Sequence, residues 1–401
     1  MKTFLSLFVA IAAFSSLNCV AQDTVNGADQ ASNGGASTGS SGVQSMNPDL
    51  SLDGLFNFSQ FSNGDPLTFD GGHDPKQNGF GIQQVEATFG SFVDPYFRAD
   101  ANLVFLKEKG QTKIEIEEAY ATSTALPADL QLKVGQFFNA FGRNNPVHPH
   151  AWDYVNKPLV LGRMFGGDGL RNTGVQVSWL SPLPWFSELT LSAQNSTGDT
   201  AVSFRSGTND QMRAASDLLG LAKWNNFFGL SEMLSLNVGA SYLKGPNSSP
   251  GKRSNTQIVG GDVFLKYRNP SSLSYVSLQA EVLKRYFRNT DETLQDQGAY
   301  VQLSYRVREP FERWVAGLRY DWVGARAVGS PNTSPDDQTP AGDRDLSRRF
   351  RLSPVVTFFP SEFSKLRAQY DYDRPDRFGK AQQVVTLQLE FVMGAHGAHK
   401  F

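Results

Sequence analysis

The chain has 401 residues, 40% hydrophobic, 12% aromatic and 19% charged, with a formal net charge of −2 and a mean hydropathy of −0.35. So balanced a charge gives no general attraction for nucleic acid, and beyond the first residues no apolar run approaches the ~20 needed for a membrane-spanning helix. The length alone would allow two or three soluble domains, but large β-structures occupy it as one.

The chain opens with MKTFLSLFVAIAAFSSLNCVAQ, which carries Lys2, an apolar run from Phe4 to Phe14 and a small-x-Ala cleavage signal at Cys19-Val20-Ala21. Residues 1–21 read as a removable signal peptide. Cys19 is the sole cysteine, so a mature chain cut after Ala21 has no thiol and no disulfide. The alternative is lipidation of Cys19, although Ser16-Leu17-Asn18 lacks the leucine usual three positions before such a cysteine. Residues 22–48 are Gly, Ser, Asn and Ala with little to bury, and are expected to form a disordered arm.

From Asp49 onward the pattern is period-2 alternation in segments of about ten residues, the spacing of half-buried strands. In the segment 299–307, Ala299, Val301, Leu303 and Tyr305 oppose Tyr300, Gln302, Ser304 and Arg306. Segment 314–322 sets Trp314, Ala316, Leu318, Tyr320 and Trp322 against Arg319 and Asp321, and segment 366–372 sets Leu366, Ala368, Tyr370 and Tyr372 against Arg367, Gln369 and Asp371. The last segment places Val385, Leu387, Leu389, Phe391 and Met393 opposite Thr386, Gln388 and Glu390. Segment 217–224 (DLLGLAKW) alternates least clearly.

Alternation alone does not separate a soluble sandwich from a membrane barrel; the connections do. Short turns fall at 92–95, 125–129, 181–185, 225–232, 268–272, 308–312 and 359–362. Polar connections, most of them longer, lie near 59–78, 108–111, 139–171, 196–216, 245–255, 288–294, 324–347 and 373–381. This asymmetry predicts an all-β fold, a transmembrane antiparallel β-barrel of about sixteen strands over 49–401, with short periplasmic turns and long outer loops. Such a barrel is too wide for side chains to fill, so its charged face would line a water channel.

The connection 139–171 holds Pro146, Pro149, Pro158, Trp152, Tyr154 and Phe165, and so is expected to pack against something. Its charged residues are Arg143, Asp153, Lys157, Arg163, Asp168 and Arg171, a basic excess that would favour anions in a confined lumen. Alternatively, Arg143 and Arg171 anchor the loop by pairing with strand carboxylates such as Glu86, Glu115 or Glu117. His148 and His150 flank Pro149 and could ligate a transition metal, with Asp153 as the nearest supplement; two imidazoles are half of a zinc site. Hydrogen bonding of both to loop and wall is the other reading. His73 stands alone in the first loop and reads as a surface residue.

Beyond the last strand, His396 and His399 precede a terminal Phe401, which shares odd parity with Phe391 and Met393. The tail reads as a label for the barrel assembly machinery, carried by Phe401 or by Phe391 at the end of VVTLQLEF; a periplasmic metal contact through the two histidines is the alternative. No Gly-x-Ser-x-Gly elbow, phosphate-binding glycine loop or His-Glu-x-x-His is present, so an enzyme is not expected.

The strings GFGIQQVEATFGSFVDPYFRADANLVF, IEIEEAYATST, LQLKVGQFFNAFGRNNPVHPHAWDYVNKPLV, MFGGDGLRNTGVQVSWL and GAHGAHKF resemble a Gram-negative outer-membrane porin family that is similar to phosphate-selective porins and includes proteins labelled zinc-regulated outer-membrane receptors. The resemblance covers most of 48–401 and is densest over 79–180. It implies a general or anion-preferring pore in the cell outer membrane, tied in some members to zinc supply. In porins the third long loop folds into the barrel and narrows it, and 139–171 stands in that position.

The function expected from sequence is passive ion transport and diffusion of small hydrophilic solutes, without a cofactor, in contact with outer-membrane lipid and with a homotrimer as an allowed assembly. The rivals are a zinc-linked transporter or receptor and a non-conducting structural barrel.

Overall fold

Alternation broken by turns yields, among the described residues, sixteen antiparallel strands that close into one barrel, each hydrogen-bonded to its sequence neighbours and the last to the first. The structure is a computed structural model and describes residues 48–64, 71–108, 111–206, 211–249, 254–271, 274–289, 293–307, 313–326 and 348–394. The expected signal peptide 1–21, all but the end of the arm 22–48, and His396, His399 and Phe401 lie outside the described residues.

The first half of the wall comprises β1 (Asp49–Phe61), β2 (Gly79–Phe92), β3 (Phe97–Glu108), β4 (Gln111–Ser123), β5 (Leu130–Phe138), β6 (Arg171–Leu180), β7 (Phe186–Asn195) and β8 (Leu218–Gly229). The second half comprises β9 (Leu234–Pro246), β10 (Asn255–Arg268), β11 (Tyr275–Arg288), β12 (Thr293–Val307), β13 (Trp314–Arg326), β14 (Arg349–Ser361), β15 (Ser364–Pro375) and β16 (Gln382–Gly394). The expected turn at 225–232 is shorter than read: Asn225–Gly229 continue β8, pairing with β9 as far as Gly229 and Ser235.

The two faces of the wall have opposite fates. Leu303, Leu318, Leu366 and Leu389 point outward and are exposed, whereas Arg319, Asp321, Arg367, Gln369, Thr386 and Gln388 point inward and are buried. Burial is inverted relative to a soluble protein because lipid solvates the outside. Tyr96, Phe97, Trp179, Trp185 and Phe363 are exposed at the short-turn end, as in an interfacial girdle.

Two irregularities re-aim side chains. The β1–β2 register shifts between Leu55 and Phe56, so that Gln83 and Gln84 are both buried. The β3–β4 register shifts between Asn102 and Leu103, and the neighbours Glu117 and Glu118 both become buried. A bulge is what allows consecutive residues to serve one face.

The inner surface also carries an apolar patch. Leu219, Leu221, Leu243, Ile258, Leu283, Tyr300 and Val323, from β8 to β13, pack with Phe141, Phe165 and the short helix α1 (Leu159–Phe165) in one cluster. This docks 139–171 inside the barrel, and it explains why 217–224 alternates poorly: Leu219 and Leu221 are inward-facing apolar residues on the face that is polar elsewhere.

Leu318 lies near the middle of β13 and is 48% exposed. Leu318→Arg is expected to destabilise the folded barrel by about 2–4 kcal/mol, read as a shift in the denaturation midpoint in lipid vesicles; an unchanged midpoint would contradict a lipid-facing Leu318.

Candidate functional site

Segment 139–171 leaves β5 and returns to β6 through a neck closed by Asn145. Its side-chain nitrogen donates to the carbonyls of Asn139 (2.7 Å) and Leu170 (3.1 Å), and its side-chain oxygen accepts from the Leu170 amide (3.1 Å). Between these ends the only α-helix is α1, with Pro158 as its N-cap and Gly166, at φ 78°, as its C-cap. A largely irregular backbone inside a barrel needs partners for its polar groups.

The wall supplies them. Among inward-facing cations, Arg285 donates to the Arg163 carbonyl (3.4 Å), Arg319 to that of Asn156 (2.9 Å) and Arg367 to that of Trp152 (2.6 Å); Arg351 and Lys365 reach the carbonyls of Lys157 and His150. Wall acceptors take the amides: Glu281 from Asn144 (2.8 Å), Asp321 from Leu159 (3.0 Å), Gln369 from Val155 (2.8 Å) and Ser241 from Gly142 (3.1 Å). Gly142 is at φ 60°, and a side chain there would collide with the Glu281 carboxylate.

The two histidines meet the wall on the opposite side. His148 Nδ1 lies 3.1 Å from Glu86 Oε1 and 2.9 Å from Glu117 Oε2, and its Nε2 hydrogen-bonds Glu118 Oε2 at 2.9 Å. His150 Nδ1 lies 2.9 Å from Glu86 Oε2. Glu86, His148 and His150 each present a ligand atom, all within 4.8 Å of one another, a grouping that could hold a metal ion. Burial works against protonation of His148, but Glu86 and Glu117 outweigh it and hold the imidazole well above its ordinary range. His150 is likewise raised: burial opposes the charge, and Glu86 and Asp53 overcome it.

Asp153, the supplement expected from sequence, is not in this group. It is exposed and accepts from Gln302 Nε2 of β12 at 3.3 Å, because the chain turns away after Trp152. Glu86 takes its place from β2, a pairing no local spacing reveals.

The other expected constriction residues divide by burial. Arg171 is 5% exposed and ion-paired to Glu115 (2.6 Å) and Glu117 (3.3 Å), so it anchors the strand. Lys157 is 3% exposed and donates to the Gly167 carbonyl at 3.0 Å; burial, stronger than the pull of Asp168 and Asp74, brings its pKa down to about 8. Arg163 is buried in α1. These three sit in packing and do not line open water. Arg143 and Asp168 are partly exposed. Arg143 stacks 4.0 Å over Phe264 and donates to Gln279 at 3.2 Å, so it does not pair with Glu86, Glu115 or Glu117 as the anchoring reading had it.

His73 is not a surface residue: it is 3% exposed, 4.0 Å from Glu117 and 3.9 Å from Asp168. The first loop folds inward because Gly71 and Gly72 lie against Gly167 and Asp168, where a side chain on Gly72 would strike Asp168. Burial lowers the His73 pKa despite Glu117 and Asp168.

On the short-turn side of the segment, Lys266 and Arg268 of β10 and Arg306 of β12 stand on inward positions, with Arg268, Tyr275 and Arg306 aligned across β10, β11 and β12. Arg143 joins them because it stacks over Phe264, which shares the inward face of β10 with Lys266 and Arg268. All four are partly exposed, forming a basic vestibule below the segment. Alternation places these wall residues inward; their convergence with Arg143 depends on closure.

An uncharacterized protein of Aquifex aeolicus (strain VF5) is 32% identical over 372 residues, which span 82% of this chain and 73% of that protein. The chain belongs to that protein's family. No family model matches. The outer membrane channel DcaP of Acinetobacter baumannii is similar in structure at a TM-score of 0.57 and 15% identity, over 88% of this chain and 99% of DcaP. An anion-selective porin from Comamonas acidovorans gives 0.52 at 10% identity, over 86% and 100%. OmpT of Vibrio cholerae in a trimer form gives 0.53 at 9%, over 86% and 99%. At such identities the likeness is one of fold, and the fold of this family member is that of an outer-membrane β-barrel.

Two outcomes test this geometry. Arg319→Met removes the donor to Asn156 and the nearer of the two arginines beside Asp321, Arg351 remaining at 3.5 Å, so the loss is at most the ~3–5 kcal/mol of a broken buried pair. Amides 154–157, 159 and 160 should then exchange with solvent on the order of 100-fold faster or more, and unchanged exchange would show that Arg319 does not hold the segment. In chelator-containing buffer, the stabilisation from His148 and His150 is complete below their unfolded value near 6.5 and is lost as pH rises through the elevated folded values. The protein should become less stable on the alkaline side of neutrality, and His148→Gln should flatten that decline in a thermal scan.

Proposed function

We propose that the protein is a passive outer-membrane channel for small hydrophilic solutes, narrowed by segment 139–171 and preferring anions. The observation that carries this reading is the segment lodged inside a sixteen-strand barrel, above a partly exposed cluster of Arg143, Lys266, Arg268 and Arg306.

The chemistry of the cluster favours the anion preference. Like charges at the mouth of a confined path raise the local concentration of counter-ions. The wall cations Arg285, Arg319, Arg351, Arg367 and Lys365 contribute less, since each is buried and donates to a loop carbonyl. Asp153, exposed beside them, would moderate the preference. The similarity in fold to DcaP, a channel, and to an anion-selective porin supports the same reading, and the trimer form of OmpT extends it to a homotrimer.

In a planar bilayer with chelator present, the purified protein should give stable open steps with a reversal potential directed toward the anion under a salt gradient. Lys266→Glu with Arg306→Glu should move that potential toward the cation while the steps persist. Silence from a correctly folded barrel would exclude a diffusion channel and leave a closed structural barrel.

A further inference from the structure

The two loop histidines and the acids of β2 and β4 form a cluster whose atoms are spaced for coordination and only partly satisfied by hydrogen bonds. His148 Nδ1 stands 3.1 Å from Glu86 Oε1 and 2.9 Å from Glu117 Oε2, yet neither contact has hydrogen-bond geometry; His148 Nδ1 and Glu117 Oε2 are buried without a hydrogen-bond partner. One ring nitrogen cannot aim at two carboxylates at once, but both carboxylates and the nitrogen can face a point between them. Around a zinc-like ion with ligand distances of about 2.0–2.2 Å, tetrahedral ligand atoms stand roughly 3.3 Å apart. The observed histidine–carboxylate separations of 2.9–3.1 Å are close to that spacing, and the whole group of ligand atoms lies within 4.8 Å.

We propose that Glu86, His148 and His150, with Glu117 beside them, bind one divalent first-row transition-metal ion that clamps segment 139–171 to β2 and β4. Three features support the assignment. Both histidines present Nδ1 to the same carboxylate, Glu86, with ring centroids 5.6 Å apart, because Pro149 between them turns the chain. Glu118 holds His148 Nε2 at 2.9 Å, the carboxylate–histidine arrangement that fixes a ligand's tautomer and orientation.

The third is Asp53. It sits directly across the β1–β2 register from Glu86, is 3% exposed, and both its carboxylate oxygens lack a hydrogen-bond partner. Four buried acids, Asp53, Glu86, Glu117 and Glu118, thus surround two imidazoles; Arg171 pairs with Glu117 alone among them, and a divalent cation would offset the acids that remain. Imidazole nitrogen in the set favours zinc, cobalt, nickel or copper over magnesium or calcium.

The test uses the full protein in detergent after chelator treatment, titrated with Zn²⁺ by calorimetry and with Co²⁺ by visible absorption. The expected result is one equivalent bound, with Glu118→Gln, a positioning residue, weakening binding by about 10- to 100-fold. Glu86→Gln or His148→Gln with His150→Gln should abolish stoichiometric binding, and His396→Gln with His399→Gln should leave it unchanged. X-ray absorption of the zinc-loaded His396→Gln, His399→Gln protein should show two imidazoles, which decides the matter even if a site variant does not fold. No stoichiometric binding, binding that survives in the His148 and His150 variant, or a spectrum without imidazole would each overturn the site. Conductance is measured metal-free, so the channel reading and the metal site can fail independently.

Discussion

The structure depends on one constraint: an irregular segment lodged inside a barrel must have its backbone hydrogen bonds completed by the wall. Segment 139–171 has only one short α-helix among its residues, and a buried carbonyl or amide without a partner is costly. Arginines and a lysine on β11, β13, β14 and β15 therefore donate to loop carbonyls, while Glu281, Asp321 and Gln369 accept loop amides. Hydrogen bonds that involve charged groups contribute about 1.5–3 kcal/mol each, so the segment is fixed by many moderate contacts spread around the wall.

That constraint separates the charges of the lumen into two kinds. Arg285, Arg319, Arg351 and Arg367 are buried under the segment and engaged by its backbone. Lys266, Arg268, Arg306 and Arg143 remain in contact with water. Counting basic residues in 139–171 does not describe this lumen, since Lys157, Arg163 and Arg171 sit in packing, and the basic groups grouped with Arg143 come from β10 and β12.

The barrel was legible because lipid and lumen impose a two-residue period on every strand, and because short turns alternate with longer connections. Where the pattern blurred, at 217–224, the cause is packing: Leu219 and Leu221 face inward to receive α1. The end of β8 was placed too early because Asn225 and Asn226 look like turn residues, yet both are strand residues, and Asn226 shares the face of Trp224 and accepts from Trp185. His73 looked solitary because its neighbours, Glu117 and Asp168, are distant in sequence. The adjacent acids Glu117 and Glu118 were the one local hint of a bulge, as two neighbouring charges in a strand otherwise point to opposite faces.

The sequence by itself determined the strand period, the number of strands, the lipid-facing surface and the presence of a stiff, aromatic-rich segment in the third long connection. These follow from local alternation and from the length of the connections. Only the tertiary structure decided that Glu86 joins His148 and His150, that Asp153 does not, and which cations stay in water. Those outcomes depend on closing the sheet and folding a loop across it, which bring together groups whose distances are set by register and curvature.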